Sequence, residues 1–196
     1  MTSLFLFFIL IILVILSGFL SGSETAITAT SKAGIIYQKK KGIKRAGYVL
    51  ELLDKKDNVI STLLLSNNLV NILASSLATA FFYDIFGVEG IFYATLIMTV
   101  VIVIFAEVLP KTYAINRPNR TALLIAPIIY YLNKLFFIFV FIINLIFQLI
   151  FKKNDNDSKN NDIQLEEELK GVIDLYKTSN PDYEQEKEML QSILQL

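Results

Sequence analysis

Three stretches of this chain are long enough and apolar enough to cross a lipid bilayer: roughly Ser3 to Gly22, Val59 to Phe82 and Gly90 to Leu109. A hydrocarbon core of about 30 Å takes about 20 helical residues. Inside it each backbone N–H and C=O needs a partner from the protein itself, which a helix supplies along its own length. A fourth apolar stretch, Thr121 to Phe151, is too long for one simple span. Pro127 and the polar pair Asn133-Lys134 interrupt it and predict two shorter helices. The expected fold class is an all-α membrane protein with three transmembrane helices, a re-entrant or juxtamembrane helical hairpin and a short acidic cytosolic helical bundle.

Composition narrows the chemistry. The chain is 54% hydrophobic, has no Cys, His or Trp, and balances 18 basic residues with 18 acidic ones. That excludes a soluble globule and a nucleic-acid binder. Disulfides and thiolate or imidazole metal sites are excluded too, so any metal must be a hard cation held by oxygen. Serine without His or a well-placed Lys lacks an activating base, so no enzyme is expected and no catalytic or cofactor-binding residue is assigned.

Lys and Arg set the orientation. Lys39, Lys40, Lys41, Lys44 and Arg45 follow the first span, Lys111, Arg117 and Arg120 the third, and Lys152 and Lys153 the fourth region. All three places are then cytoplasmic, which puts the N-terminus outside and the C-terminus inside the plasma (inner) membrane. The fourth region must therefore cross an even number of times. A hairpin satisfies this; two full crossings also would, with Lys134 at the outer face. The N-terminal apolar run has no basic residues before it, so it reads as a retained span and not as a cleaved signal.

Three domains follow: a transmembrane domain over 1–151, a linker over 152–162 and an acidic helical bundle over 163–196. The linker, K-K-N-D-N-D-S-K-N-N-D, is polar and aperiodic. Beyond it Leu165, Leu169, Val172, Ile173 and Tyr176 recur at helical spacing, Asn180-Pro181 breaks the pattern, and Asp182 can cap a second helix. That helix ends on an apolar face, which predicts further domain beyond it.

Polar residues at membrane depth are functional candidates by default. On the first span Ser17 and Ser21 are one turn apart, followed by Glu24, Thr25 and Thr28 on the same side, while Gly18 and Gly22 allow close packing or an unwound turn. On the second, Asn67 and Asn71 are one turn apart, with Ser75 beyond them. On the third, Glu107 could pair with Lys111, and Pro110, having no N–H, frees the carbonyl of Ala106 four residues earlier. Taken alone, the first cluster reads more readily as a small-residue packing seam, S-G-x-x-S-G. Together the three offer about six oxygens with one carboxylate, the ligand chemistry of Mg²⁺ or Na⁺.

The motifs S-G-F-L-S-G-S-E-T-A, L-L-L-S-N-N-L-V-N and F-A-E-V-L-P-K-T-Y-A, in that order and on those spans, resemble the transmembrane domain of the CNNM/CorC family of magnesium transporters. The resemblance covers essentially the whole chain. It implies a homodimer and Mg²⁺ export driven by Na⁺ influx. It also implies a water-free Mg²⁺ site that maps to Ser21, Asn67, Asn71 and Glu107, with Ser17, Ser66 and the Ala106 carbonyl beside them. Ser23 and Glu24 take structural or gating roles. The nucleotide-binding CBS pair of longer members is absent from this sequence, so no nucleotide is expected here. The rival expectation is a membrane-anchored Mg²⁺ sensor or scaffold that regulates another transporter.

Overall fold

The computed structural model describes residues 2–136 and Ile142; the readings for the second half of the fourth apolar region, the linker and the acidic bundle lie outside the described residues. Every regular element among the described residues is helical. Helix α1 (Thr2–Ala29) is unbroken through Gly18 and Gly22, so the glycines do not unwind it. At Ser31 the hydroxyl caps the N–H of Gly34 and starts α2 (Lys32–Lys40). A turn at Gly42, whose φ of 84° favours a residue without Cβ, leads to α3 (Arg45–Asp54).

Helix α4 (Lys56–Phe86) runs to a short 3₁₀ turn at Gly87–Glu89, where Gly87 has φ 65°. The chain then reverses into α5 (Gly90–Val101), which packs back along α4. A Cβ on Gly90 would run into the Phe82 carbonyl, so this tight reversal requires glycine. Helix α5 continues as a seven-residue π-helical segment, Ile102–Val108, and then as α6 (Leu109–Asn116). Helix α7 (Pro118–Leu135) packs on α1, α3, α4 and α6 through Ala122, Ile125, Ala126 and Ile129.

Two helical stretches, Leu4–Ala29 and Lys56–Asn116, are long and apolar enough to cross a membrane. Only 28% and 17% of their most apolar windows are buried, whereas the core helix of a soluble protein is mostly buried. Phe5, Ile15, Phe92 and Leu96 face outward, as expected where the surrounding solvent is lipid. The second stretch has 61 residues, a length of about 90 Å if straight, and it folds back at Gly87.

The interior is divided. One apolar cluster joins Leu20, Ile27, Ile35, Val49, Leu63 and Ile129 with their neighbours. A second joins Leu10, Ala74, Ala78 and Met98. Along α1, Ser17 lies between the two; along α4, Asn71 lies between Val70 of the first and Ala74 of the second. Between Met98 and Ala114, on the third limb, comes the π segment.

Of the two interruptions read in the fourth apolar region, one is not seen in helix α7. Pro127 does not break it: the helix runs through that residue and ends at Leu135, next to the polar pair Asn133-Lys134. The lost backbone bond is outweighed by the buried face on both sides of the proline, and the Thr62 hydroxyl, fully buried, adds a side-chain tie to Asn133 Oδ1 at 2.8 Å.

Candidate cation site between the helices

The Ser-Gly repeat on α1 serves two neighbours at once. Residues 17 and 21 stand one turn apart, as do 18 and 22, and the two pairs are rotated by one residue about the axis. Gly18 and Gly22 face Pro110: a Cβ on either would meet the proline ring at 3.2 Å, and one on Gly18 would also meet the Phe105 carbonyl oxygen at 3.1 Å. Ser17 reaches α4 instead.

There the Ser17 Oγ donates to Asn67 Oδ1 at 2.9 Å and lies 2.6 Å from Asn71 Oδ1. Ser17 and Asn67 are buried and Asn71 half-buried, and Asn71 is the central residue of α4. A hydroxyl carries one proton, so it can satisfy only one of two acceptors. The second contact is made favourable by turning one amide so that its NH₂ donates, or by a cation among the three oxygens.

One turn along α1, Ser21 Oγ is fully buried and has no hydrogen-bond partner. Leaving such a group unpaired costs about 1–3 kcal/mol. Its neighbours avoid that cost: Ser23, Thr25, Thr28 and Thr30 each donate to the carbonyl four residues earlier. Ser17 and Ser21 are thereby separated from the other hydroxyls of this helix. Ser66 is buried and donates to the Thr62 carbonyl at 2.7 Å, which leaves its lone pairs but not its proton. Ser75 is exposed in a groove of about 320 Å³ between α4 and α5, lined also by Thr79, Thr95 and Thr99.

Glu107 sits near the end of the π segment, half-buried and with no ion pair among the described residues. The pairing with Lys111 expected from their spacing does not form. Lys111 Nζ instead lies 3.9 Å from Glu24 on α1. No group of three or more acidic residues that could hold a metal occurs among the described residues.

The π segment also changes which carbonyl proline frees. In an α register Pro110 would face Ala106, and the ring would clash with that oxygen. Here the Leu109 N–H bonds to the Ile104 carbonyl, five residues back, so the next carbonyl in sequence, facing the missing N–H, is that of Phe105. Ala106 is fully buried against Gly18. Sequence reasoning missed Phe105 because it assumed four-residue spacing; the β-branched run before Pro110 was the available signal for a disturbed helix.

The geometry thus brings Ser17, Asn67 and Asn71 into direct contact and adds Ser21 one turn away. The Phe105–Ala106 backbone lies against the glycine side of the same helix. Glu107 is on the adjoining segment, without a direct contact to the amides.

Comparison with known proteins gives a consistent picture. Residues 8–186 match the family model described as the cyclin M transmembrane N-terminal domain. The chain is 33% identical over 195 residues to a UPF0053 protein of Haemophilus influenzae, covering 97% of this chain and 46% of that one. It is 37% identical over 131 residues to the Escherichia coli UPF0053 inner membrane protein YfjD, covering 61% and 31%. A chloroplast DUF21-domain protein of Arabidopsis thaliana is 27% identical over 188 residues, covering 96% and 28%. The chain spans less than half the length of these curated relatives.

Proposed function

The chain belongs to the cyclin M (CNNM) transmembrane family, and on that premise we propose that it is a secondary transporter exporting Mg²⁺ across the plasma (inner) membrane, driven by Na⁺ influx. In this reading α1, α4 and the α5–π limb are three spans, with the N-terminus outside, the C-terminus and an acidic bundle inside, and two copies forming a homodimer. The observation that carries it is the meeting of the Ser17 hydroxyl with the side-chain amides of Asn67 and Asn71, beside the orphan hydroxyl of Ser21.

Mg²⁺ is then cargo held by oxygens of Ser17, Ser21, Asn67 and Asn71, with Ser66 and the Phe105–Ala106 carbonyls as neighbours and Glu107 as counter-charge. A hard cation suits neutral oxygens, and the dense set offsets the loss of its tightly held water. One carboxylate leaves a bound divalent ion with net positive charge, which favours release over storage. Moving two charges outward against 100 mV costs about 4.6 kcal/mol, so a Na⁺ gradient is a suitable driving force.

The test is Mg²⁺ flux in proteoliposomes containing only this protein, with and without a Na⁺ gradient. Protein-dependent flux accelerated by opposing Na⁺ supports the proposal. Absence of flux under both conditions overturns transport; retained Mg²⁺ binding in that case points to a membrane-anchored sensor.

A further inference from the structure

The basic run after the first span, Lys39 to Arg45, forms no ion pair among the described residues. Lys32 pairs with Asp54 at 2.7 Å, and Lys56 donates to the Thr28 carbonyl at 3.0 Å. By contrast Lys39, Lys40, Lys44 and Arg45 are exposed and form no ion pair among the described residues. Lys41 lies over the Tyr37 ring, 4.5 Å from its centroid.

Helix electrostatics accounts for only part of this cluster. Lys39 and Lys40 occupy the last turn of α2, where cations are favoured, but Lys44 and Arg45 stand at the start of α3, where the helix dipole opposes them. Five cations close together also repel one another. An external anion relieves both effects.

The same surface is apolar as well as basic. Ile36 is 41% exposed, Tyr37 58% and Ile43 37%, interleaved with the cations along α2 and the Gly42 turn. Their buried counterparts Ile35, Ala46 and Val49 face the core, so these two short helices are apolar on both sides. A surface of aliphatic and tyrosyl side chains mixed with lysines suits the headgroup boundary of a bilayer, where rings and alkyl stems enter the acyl region and ammonium groups remain among phosphates.

We propose that α2, the Gly42 turn and the start of α3 form a docking surface for anionic phospholipid headgroups. Lys39, Lys40, Lys41, Lys44 and Arg45 contact the phosphates, and Ile36, Tyr37 and Ile43 enter the membrane beside them. Each cation near an anionic surface strengthens the association about fivefold. The proposal is independent of transport; the orientation above only names the leaflet.

The experiment uses the full chain in neutral detergent, with phosphatidylglycerol or phosphatidylcholine added. The melting temperature is followed against lipid content, and retained lipids are counted by native mass spectrometry. Phosphatidylglycerol is expected to act at a lipid content about tenfold or more below phosphatidylcholine, a preference that 0.5 M salt removes, since screening then acts within about 4–5 Å. The variant K40Q/K44Q should weaken it about fivefold per charge removed, while K32Q and K56Q should leave it unchanged. Equal action of the two lipids, or equal weakening in all these variants, overturns the proposal. So does reproduction of the effect by inorganic phosphate. Carbodiimide cross-links from Lys39, Lys40 or Lys44 to Glu166, Glu167 or Glu168 would instead assign the surface to the chain's own acidic segment and overturn it too.

Discussion

Pro110 rests on the bare backbone of Gly18, with its Cγ 3.2 Å from where a Cβ on that glycine would stand. Gly22 makes the equivalent approach one turn later. These contacts set the distance between α1 and the third limb, and thereby where Glu107 stands relative to Ser17 and Ser21.

Gly18→Ala is expected to destabilise the fold by about 1–3 kcal/mol through overpacking, less the helix propensity it gains. Gly47 in α3 provides the control, since a Cβ there meets nothing within 4 Å. Gly47→Ala should stabilise by about 0.5–1 kcal/mol. Thermal unfolding of both variants in detergent checks the opposite signs; a Gly18→Ala protein as stable as Gly47→Ala would refute the packing argument.

Ser21→Ala should separate stability from binding. Removing a buried hydroxyl that has no partner should leave stability without Mg²⁺ unchanged or raise it by about 1 kcal/mol. The Mg²⁺-induced rise in melting temperature should shrink at the same time. A variant that loses stability without Mg²⁺ and keeps the full Mg²⁺ response would show that Ser21 is a packing residue.

Asn71→Ala and Glu107→Gln should each reduce Mg²⁺ flux at least about a hundredfold, the scale of losing about 2.7 kcal/mol. Asn71→Asp tests the charge argument from the other side. A second carboxylate should tighten Mg²⁺ binding and slow turnover, read as a lower half-saturating concentration together with a lower maximal flux. If Asn71→Asp binds no more tightly, the oxygen cluster does not face the ion.

Lys111 and Glu24 form a partly exposed pair at 3.9 Å, with side-chain exposures of 41% and 20%. Such pairs contribute about 0–1 kcal/mol. Lys111→Met should therefore shift stability by no more than about 1 kcal/mol and leave Mg²⁺ binding nearly intact. A loss of binding as large as that of Glu107→Gln would mean that Lys111 belongs to the site.

The helices and the three polar clusters were legible in the sequence because periodicity and the cost of polar groups in lipid act locally. That logic put Ser21, Asn67, Asn71 and Glu107 first, with Ser17 beside them; of these Ser17, Asn67 and Asn71 touch, and Ser21 stands one turn away without a partner. The roles within the Ser-Gly repeat were less legible: packing and ligation both use small residues, and only the contacts of Gly18 with Pro110 and of Ser17 with Asn71 divide them. The freed carbonyl was displaced by one residue because a π register depends on how Pro110 fits its neighbour, not on spacing alone. Pro127 was misread as a breaker for a related reason, since tertiary packing around Ala126 and Ile129 supports a helix that local rules would end.

The Thr62–Asn133 contact has a mechanical consequence. Thr62 touches the last turn of α7, its carbonyl accepts the Ser66 hydroxyl one turn later, and Ser66 is the residue before Asn67. The Thr62 hydroxyl also lies 2.9 Å from the Asn58 carbonyl, so its one proton is shared between the backbone of α4 and the end of α7, beside the turn of α4 that carries the amide oxygens. A displacement of the end of α7 would therefore be felt at the turn of α4 that carries Asn67, the residue that meets Ser17.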